Sequence, residues 1–296
     1  MFCMMDAKDT LFSKKRSLNL RGRIISINMP MVMGIINVTP DSFYSRSRFM
    51  TEHQVLKHCE KIYSDGADII DLGAYSSRPG ADDISLEEEK RRLGPILESI
   101  RLRFPEAIIS VDTFRSEVAS MAVNDFEVDI INDIAGGDLD NKMFNTIATL
   151  KVPYILMHIK GTPQTMQQYS FYKNISNEIM QYFAEKVNIL RQMGVADLIL
   201  DPGFGFAKTI ADNYNLLANL SKLQLFNLPI LVGISRKSMI YKLLETKAEE
   251  ALNGTTVINS LALLNGADII RVHDVKEAVE CVKLISEYKR HLPLNN

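Results

Sequence analysis

Eight short apolar runs, each ending in a polar loop, constrain this chain more than any other feature. They occupy residues 31–36, 67–72, 107–111, 130–131, 153–157, 198–200, 230–232 and 267–270. Most are continuous stretches of Ile, Val, Leu and Met with little alternation, the pattern of strands buried on both faces of a parallel sheet. Helical patterns lie between them, starting near Glu52, Ser85, Arg115, Ser176, Asp212, Ser235, Thr255 and Asp274. Ser85 with Glu88, and Asp274 with Glu277, have the spacing of capping boxes. Eight such units predict an α/β chain closed as a single-domain (β/α)8 TIM barrel with a short N-terminal extension. An open doubly wound sheet fits less well, because no Gly-rich dinucleotide loop follows the first strand. Residues 1–22 read as an irregular N-terminal segment, 23–290 as the barrel and 291–296 as a tail. Residues 23–28 suit a short strand covering one end of the core.

Composition removes several partner classes. The 296 residues are 46% apolar and 24% charged, with a formal net charge of −2. That balance argues against nucleic acid or an acidic membrane surface as partner. No run reaches transmembrane length, and the start lacks the apolar core of a signal peptide. Cys3, Cys59 and Cys281 are scattered without metal-type spacing. They point to a reduced, cytoplasmic setting.

In such barrels chemistry sits at the C-terminal ends of the strands. Those ends carry Asn37, the Ser77-Arg78 loop, Asp112, Asn132, Met157-His158, Asp201, Ser235-Arg236-Lys237, and Arg271 with His273. The mixture sorts into two chemistries. Asp112, Asn132, Asp201 and Lys237 alternate acceptors and donors, which suits a flat heterocycle with an amide-like edge. Asn37, Arg78, Arg271 and His273 suit a polyanion such as a diphosphate. An Asn beside a diphosphate also suits Mg²⁺, which prefers oxygen ligands. The stretch from Ile230 to Ile240 reads as a strand running into a helix N-capped at Ser235, with Arg236 and Lys237 at an anion-binding helix start. No Cys or Ser has a His partner placed as a base, so no nucleophilic triad is indicated.

The motifs as an ordered set resemble the dihydropteroate synthase family. They are Gly34-Ile-Ile-Asn-Val-Thr-Pro-Asp-Ser-Phe43, Ser76-Ser-Arg-Pro-Gly-Ala81, Ser110-Val-Asp-Thr113, Ile131-Asn-Asp-Ile134, Met157-His158 with Gly161, Leu200-Asp-Pro-Gly-Phe-Gly-Phe206, Ser235-Arg-Lys-Ser238 and Arg271-Val-His273. The resemblance covers residues 24–285, one motif per strand. It implies condensation of 6-hydroxymethyl-7,8-dihydropterin diphosphate with 4-aminobenzoate, giving 7,8-dihydropteroate and pyrophosphate in folate synthesis. It further implies Mg²⁺ held by Asn37, a cytoplasmic homodimer, and a sulfonamide target. By the same resemblance Asp112, Asn132, Asp201 and Lys237 hold the pterin, with Met157 and Phe206 as apolar walls. Asn37, Ser77, Arg271 and His273 take the diphosphate, with Arg78 in the same loop as Ser77. Phe43, Pro79, Phe206 and the stem of Lys237 flank the aminobenzoate, whose carboxylate meets Ser235 beside Gly233. Asp112, Asp201, Lys237 and Arg271 form the catalytic set.

Two departures stand out. The family's second loop begins Gly-Gly-Glu-Ser-Thr-Arg-Pro-Gly, where this chain has Gly73-Ala-Tyr-Ser-Ser-Arg-Pro-Gly80, so Tyr75 replaces an acid. The first loop usually continues Ser-Asp-Gly-Gly after its Phe, where this chain has Tyr44-Ser-Arg-Ser-Arg48. Arg46 or Arg48 would then stand near the diphosphate. Two other readings compete: a methyltetrahydrofolate:corrinoid methyltransferase-type barrel, and a non-catalytic pterin-binding relative. The first has no use for the Ser235-Arg-Lys site or for the arginines placed for diphosphate.

Overall fold

The computed structural model describes residues 17–38, 52–75 and 83–293. Phe43, Arg46, Arg48, Thr51, Ser77, Arg78 and Pro79 lie outside the described residues. The chain opens on a hairpin, β1 (Ser17–Leu20) and β2 (Arg23–Ser26), paired antiparallel with Ser17 opposite Ser26. This corrects the expectation of irregular structure up to residue 22. Arg21 and Gly22 turn the hairpin with positive φ. Arg21 Nε then donates to the buried Asp129 carboxylate at 2.6 Å, which ties the hairpin to the barrel.

The barrel strands are β3 (Met31–Asn37), β4 (Ile69–Gly73), β5 (Ile108–Asp112), β6 (Ile130–Asp133), β7 (Tyr154–Met157), β8 (Leu198–Asp201), β9 (Leu231–Val232) and β10 (Ile269–Val272). They pair in parallel in the order β8-β7-β6-β5-β4-β3-β10-β9. A parallel bridge between Leu200 and Ile230 joins the two ends, so the cylinder closes. Around it run α1 (Glu52–Ser64), α2 (Leu86–Arg103), α3 (Ser116–Phe126), α4 (Met143–Leu150), α5 (Ile175–Gln192), α6 (Ile210–Ala218), α7 (Ser238–Tyr241), α8 (Leu252–Leu264) and α9 (Val275–Arg290). Outward strand residues such as Ile70, Val111, Ile131, Leu200 and Val272 pack with Val55, Leu97, Val118, Phe183 and Ala278 of the helices as one buried cluster. No helix among the described residues is long and apolar enough to cross a membrane. Cys59 and Cys281 are buried free thiols.

Several helix boundaries differ from the sequence pattern, each for a visible reason. α4 is absent from that pattern because its start, at Lys142, makes no side-chain cap bond. α6 is capped three residues before Asp212: Thr209 and Asp212 form the reciprocal capping box. At α2 only half a box forms. Ser85 accepts from the Glu88 amide, while the Glu88 carboxylate is taken by Arg91 and Arg92. Asp274 makes no cap bond at α9, because both its oxygens serve Arg236 at 2.8 Å.

The helix expected from Ser235 to Leu244 shrinks to the single turn of α7, with Lys237 at its N-cap position. Arg236 takes φ 56°, which an α-helix excludes, and its fork on Asp274 fixes that turn. The helix start expected at Ser235 therefore lies three residues further on, at Ser238. Arg236 also donates to the carbonyls of Ala248 and Glu249 and serves the loop before α8.

Candidate active site

Side chains alternate across a strand, so every second residue of each strand points into the cylinder. Going up the strands, those residues change from apolar to polar. Met33, Ile69, Ile130, Ile155, Ile199, Leu231 and Ile269 fill the lower interior, and Leu18, Leu20 and Ile27 of the hairpin segment plug it from below. Two residues further on, the same strands present Asp71, Ser110, Asn132, Met157, Asp201, Gly233 and Arg271. The register places Asp71 beside Ser110, Asp112 beside Asn132, and Met157 beside Asp201. On β4, β5, β6, β8 and β10 the residue two places after a floor residue is polar, whereas β3, β7 and the end of β9 carry Ile35, Met157 and Gly233 there.

One guanidinium organises half of this layer. Arg271 donates from Nε to Asp71 Oδ2 at 2.6 Å and from Nη2 to Asp112 Oδ2 at 2.8 Å. Asn132 Nδ2 reaches the same Asp71 oxygen at 3.2 Å. Burial pushes the Asp112 carboxyl up to about 7 against the pull of Arg271, and Asp71, Glu89 and Asp133 push in the same direction. Burial opposes the charge on Arg271, but Asp71 and Asp112 outweigh it and keep the guanidinium charged.

The other half is built on Asp201 and Lys237. Asp201 is buried and accepts from the Gly203 amide at 2.8 Å. Burial raises its carboxyl above the ordinary range, with Lys237 opposing. Burial also lowers Lys237 to about 8, against the pull of Asp201 and Asp112. Asp112 and Asp201 end β5 and β8, and Lys237 follows β9, so the two acids and the ammonium stand at the same end of the cylinder. The loop after β8 cradles the lysine. Lys237 Nζ donates to the Phe204 carbonyl and lies 4.5 Å from the centroid of the Phe206 ring. Gly205, at φ 80°, leaves room for the stem, since a Cβ there would lie 2.9 Å from Lys237 Cδ.

Lys208 is a site-building residue that strand-end reasoning did not find. It is buried, and its Nζ donates to the carbonyls of Gly203 at 2.8 Å and Phe206 at 2.9 Å, beside His158 Nδ1 at 3.2 Å. Burial lowers its ammonium to about 7. The lysine pins the cradle loop to the end of β7, where Gly203 sits so tightly that a Cβ would lie 2.0 Å from the His158 carbonyl. The signal was faint: one Lys closing an otherwise apolar loop. Burial likewise keeps His158 well below its ordinary value, hence neutral, and assigns it to this support.

The walls are apolar. Ile134, Met157, Ile159, Met166 and Ala207 form a separate small cluster, with Phe114 and Phe206 packed against it. Tyr75 is mostly buried. Its ring meets Phe114 edge-on at 4.9 Å, and its hydroxyl contacts the side-chain amide of Gln164. It therefore ties the loop after β4 to the loop after β7. Across the mouth, Ser235 Oγ accepts from the His273 amide at 3.2 Å and lies 3.1 Å from His273 Nδ1. Ser235 is buried in that contact and His273 is exposed. Asn37 stands half-buried at the top of β3, opposite Gly73.

Comparison with known proteins decides the family. Residues 33–273 match the family described as pterin binding enzyme. The chain is 43% identical over 267 residues to the dihydropteroate synthase of Escherichia coli K12, covering 90% of this chain and 94% of that one. It is 41% identical over 256 residues to that of Synechocystis, covering 86% and 88%. Among solved structures, Yersinia pestis dihydropteroate synthase in complex with a sulfonamide drug superposes with a TM-score of 0.87 at 38% identity, covering 93% and 99%.

The chain belongs to the dihydropteroate synthase family. Its fold is the (β/α)8 barrel and its activity that of a dihydropteroate synthase, a transferase of folate synthesis. Of the residues named from sequence, Asp112, Asn132, Met157, Asp201, Phe206, Gly233, Lys237 and Arg271 converge on this mouth, with Asn37, Ser235 and His273 at its rim. Asp71 and Lys208 are the buried supports that sequence did not mark. Asp71 is hidden inside an apolar strand run and reads as a break in a core strand.

Proposed function

We propose that this dihydropteroate synthase mouth joins the pterin diphosphate to 4-aminobenzoate with the following division of labour. Asp112, Asn132 and Asp201 accept from and donate to the pterin edge, and Lys237 donates to ring oxygen or nitrogen. Arg271, His273 and Asn37 face the diphosphate. The aminobenzoate lies along Phe206 and the Lys237 stem with its carboxylate toward Ser235. The Xanthomonas albilineans dihydropteroate synthase, 34% identical with a TM-score of 0.86, has been solved with 4-aminobenzoic acid, which supports 4-aminobenzoate as the second substrate.

In the reaction the C–O bond between the pterin methylene and the diphosphate breaks, and its electron pair leaves on pyrophosphate. The arylamine nitrogen forms the new C–N bond and releases a proton to solvent. Positive charge builds on the methylene, which the buried carboxylates favour. Arg271 meets the charge on the leaving group. No strong base is required.

Among the described residues, no cluster of three or more His, Cys, Asp or Glu is arranged to hold a metal. The donor set nonetheless fits Mg²⁺, which keeps waters and takes substrate phosphate oxygens, so the single amide oxygen of Asn37 suffices from the protein. When bound, the ion supplies positive charge to the diphosphate. A cytoplasmic homodimer is part of the same reading. The free buried thiols support the compartment, and the exposed apolar side chains Val257, Leu261 and Leu264 along one face of α8 support the dimer. A sulfonamide would compete at the aminobenzoate place.

The observation that carries this reading is the position of Asp112, Asp201 and Lys237 at one end of the barrel. A pyrophosphate-release assay with both substrates tests it. Binding of pterin without release would assign a non-catalytic relative, and methyl transfer from methyltetrahydrofolate to a corrinoid protein would assign the methyltransferase type. Light scattering on Leu261→Glu tests the dimer: a dimeric variant as stable as the parent removes that part.

A further inference from the structure

Two polar contacts inside the barrel converge on a residue to which no substrate contact is given above. Asp71 is fully buried on β4. Its Oδ2 receives Arg271 from 200 residues away and Asn132 from 61 residues away. Its other oxygen, Oδ1, has no side-chain or backbone partner among the described residues, and neither does Ser110 Oγ, its neighbour in the register.

We propose that Asp71 is a positioning residue: one carboxylate oxygen fixes both the guanidinium of Arg271 and the amide of Asn132, and so presets the pterin-diphosphate half of the site. This rests on the residue roles given above.

Geometry supplies the reason. A guanidinium prefers to engage a carboxylate through two parallel bonds. Left with Asp112 alone, Arg271 would turn its fork onto both Asp112 oxygens and withdraw them from a ligand. Asp71 takes Nε, so Arg271 meets Asp112 through Oδ2 only. The other Asp112 oxygen stays available to a ring N–H, and the remaining N–H groups of Arg271 stay available to phosphate oxygens. The same Asp71 oxygen takes one Asn132 amide hydrogen, which fixes which end of that amide faces the ligand. None of these contacts touches the Lys237 cradle or Ser235, so the effect is confined to one of the two substrates.

The test compares Asp71→Asn and Asp71→Ala in the full chain. Asp71→Asn keeps an oxygen for both donors, so it removes charge with little change of shape. Asp71→Ala removes both contacts. Charged hydrogen bonds of this kind correspond to about a tenfold to hundredfold change in affinity. Affinity for the pterin diphosphate, read by titration calorimetry, is expected to fall by about that factor in Asp71→Ala and by less in Asp71→Asn. The KM for 4-aminobenzoate should stay within about twofold, the spread of an uninvolved site. In a cycle with Arg271→Lys, the two losses should add to less than their sum, since both act on one contact.

Wild-type affinity for the pterin diphosphate in either variant, with its thermal midpoint preserved, overturns the proposal. Equal weakening for both substrates also overturns it, because that is the mark of a merely structural residue. Should Asp71→Ala not fold, Asp71→Asn and the cycle decide. The titration needs no turnover. A wild-type chain that binds pterin diphosphate without releasing pyrophosphate would sink the proposed reaction, while the Asp71 comparison stays readable.

Discussion

The two halves of the barrel interior are made from the same strands and do opposite things. The lower half is a packed layer of Ile, Leu and Met, closed below by the β1–β2 hairpin. Its side chains are interchangeable in kind, and their job is volume. The upper half, two residues along each strand, is a ring of charge in which Asp71, Asp112, Asp201, Lys237 and Arg271 meet with few alternatives for any of them. Buried charges are costly unless paired. The rigid apolar floor is what holds this arrangement together: it fixes the strands in register so that the charges cannot move apart. Function is thus concentrated where the fold gains least from burial.

The largest effects should therefore separate the halves. Lys237→Ala or Asp201→Asn in the upper half should lower turnover by about a thousandfold while the circular dichroism spectrum and thermal midpoint stay close to the parent. Near-normal pyrophosphate release in either would end the assignment of that ring to the pterin. The converse change lies in the floor. Leu20→Ala should cost about 2–5 kcal/mol in urea unfolding while both KM values hold, because it opens a cavity at the end of the barrel opposite the ligand groups.

A pH profile sharpens the contrast, since only the upper half titrates. Burial holds Asp112 up at about 7 and Lys237 down at about 8. A raised acid keeps its proton to higher pH, so below about 7 Asp112 is neutral and accepts poorly from a ring N–H. A lowered lysine loses its proton sooner, so above about 8 Lys237 no longer donates as a cation. kcat/KM for the pterin diphosphate should be bell-shaped with a narrow top between those values. An acid limb in the ordinary carboxylate range would contradict the burial of Asp112. The smallest expected effect is at the rim. Tyr75→Phe removes the hydroxyl contact to Gln164 and should cost about 1 kcal/mol in thermal or urea unfolding. It should leave the affinity for 4-aminobenzoate unchanged, because the ring still packs on Phe114.

How much was legible varied by element. Runs such as 31–36 and 198–200 gave their strands nearly to the residue, because a doubly buried strand has to be apolar throughout. α4 was not legible, since its start carries no capping side chain. The stretch after β9 was misread for a different reason. Ser235 has the local chemistry of an N-cap, but Arg236 answers to Asp274, 38 residues away, and that pair turns the backbone out of the helix. The capping box at Asp274 fails by the same contact seen from its other end.

The sequence by itself determined the alternation of strands and helices, hence the barrel, and the polar residue at the top of each strand. Both follow from local rules of period and burial. Only the tertiary structure decided which polar groups touch: that Arg271 divides itself between Asp71 and Asp112, that Lys208 holds the loop under Lys237, and that Ser235 belongs to His273. The long-range contacts among them span 38 to 200 residues of chain. They depend on the registers of eight strands at once, and no local pattern encodes that.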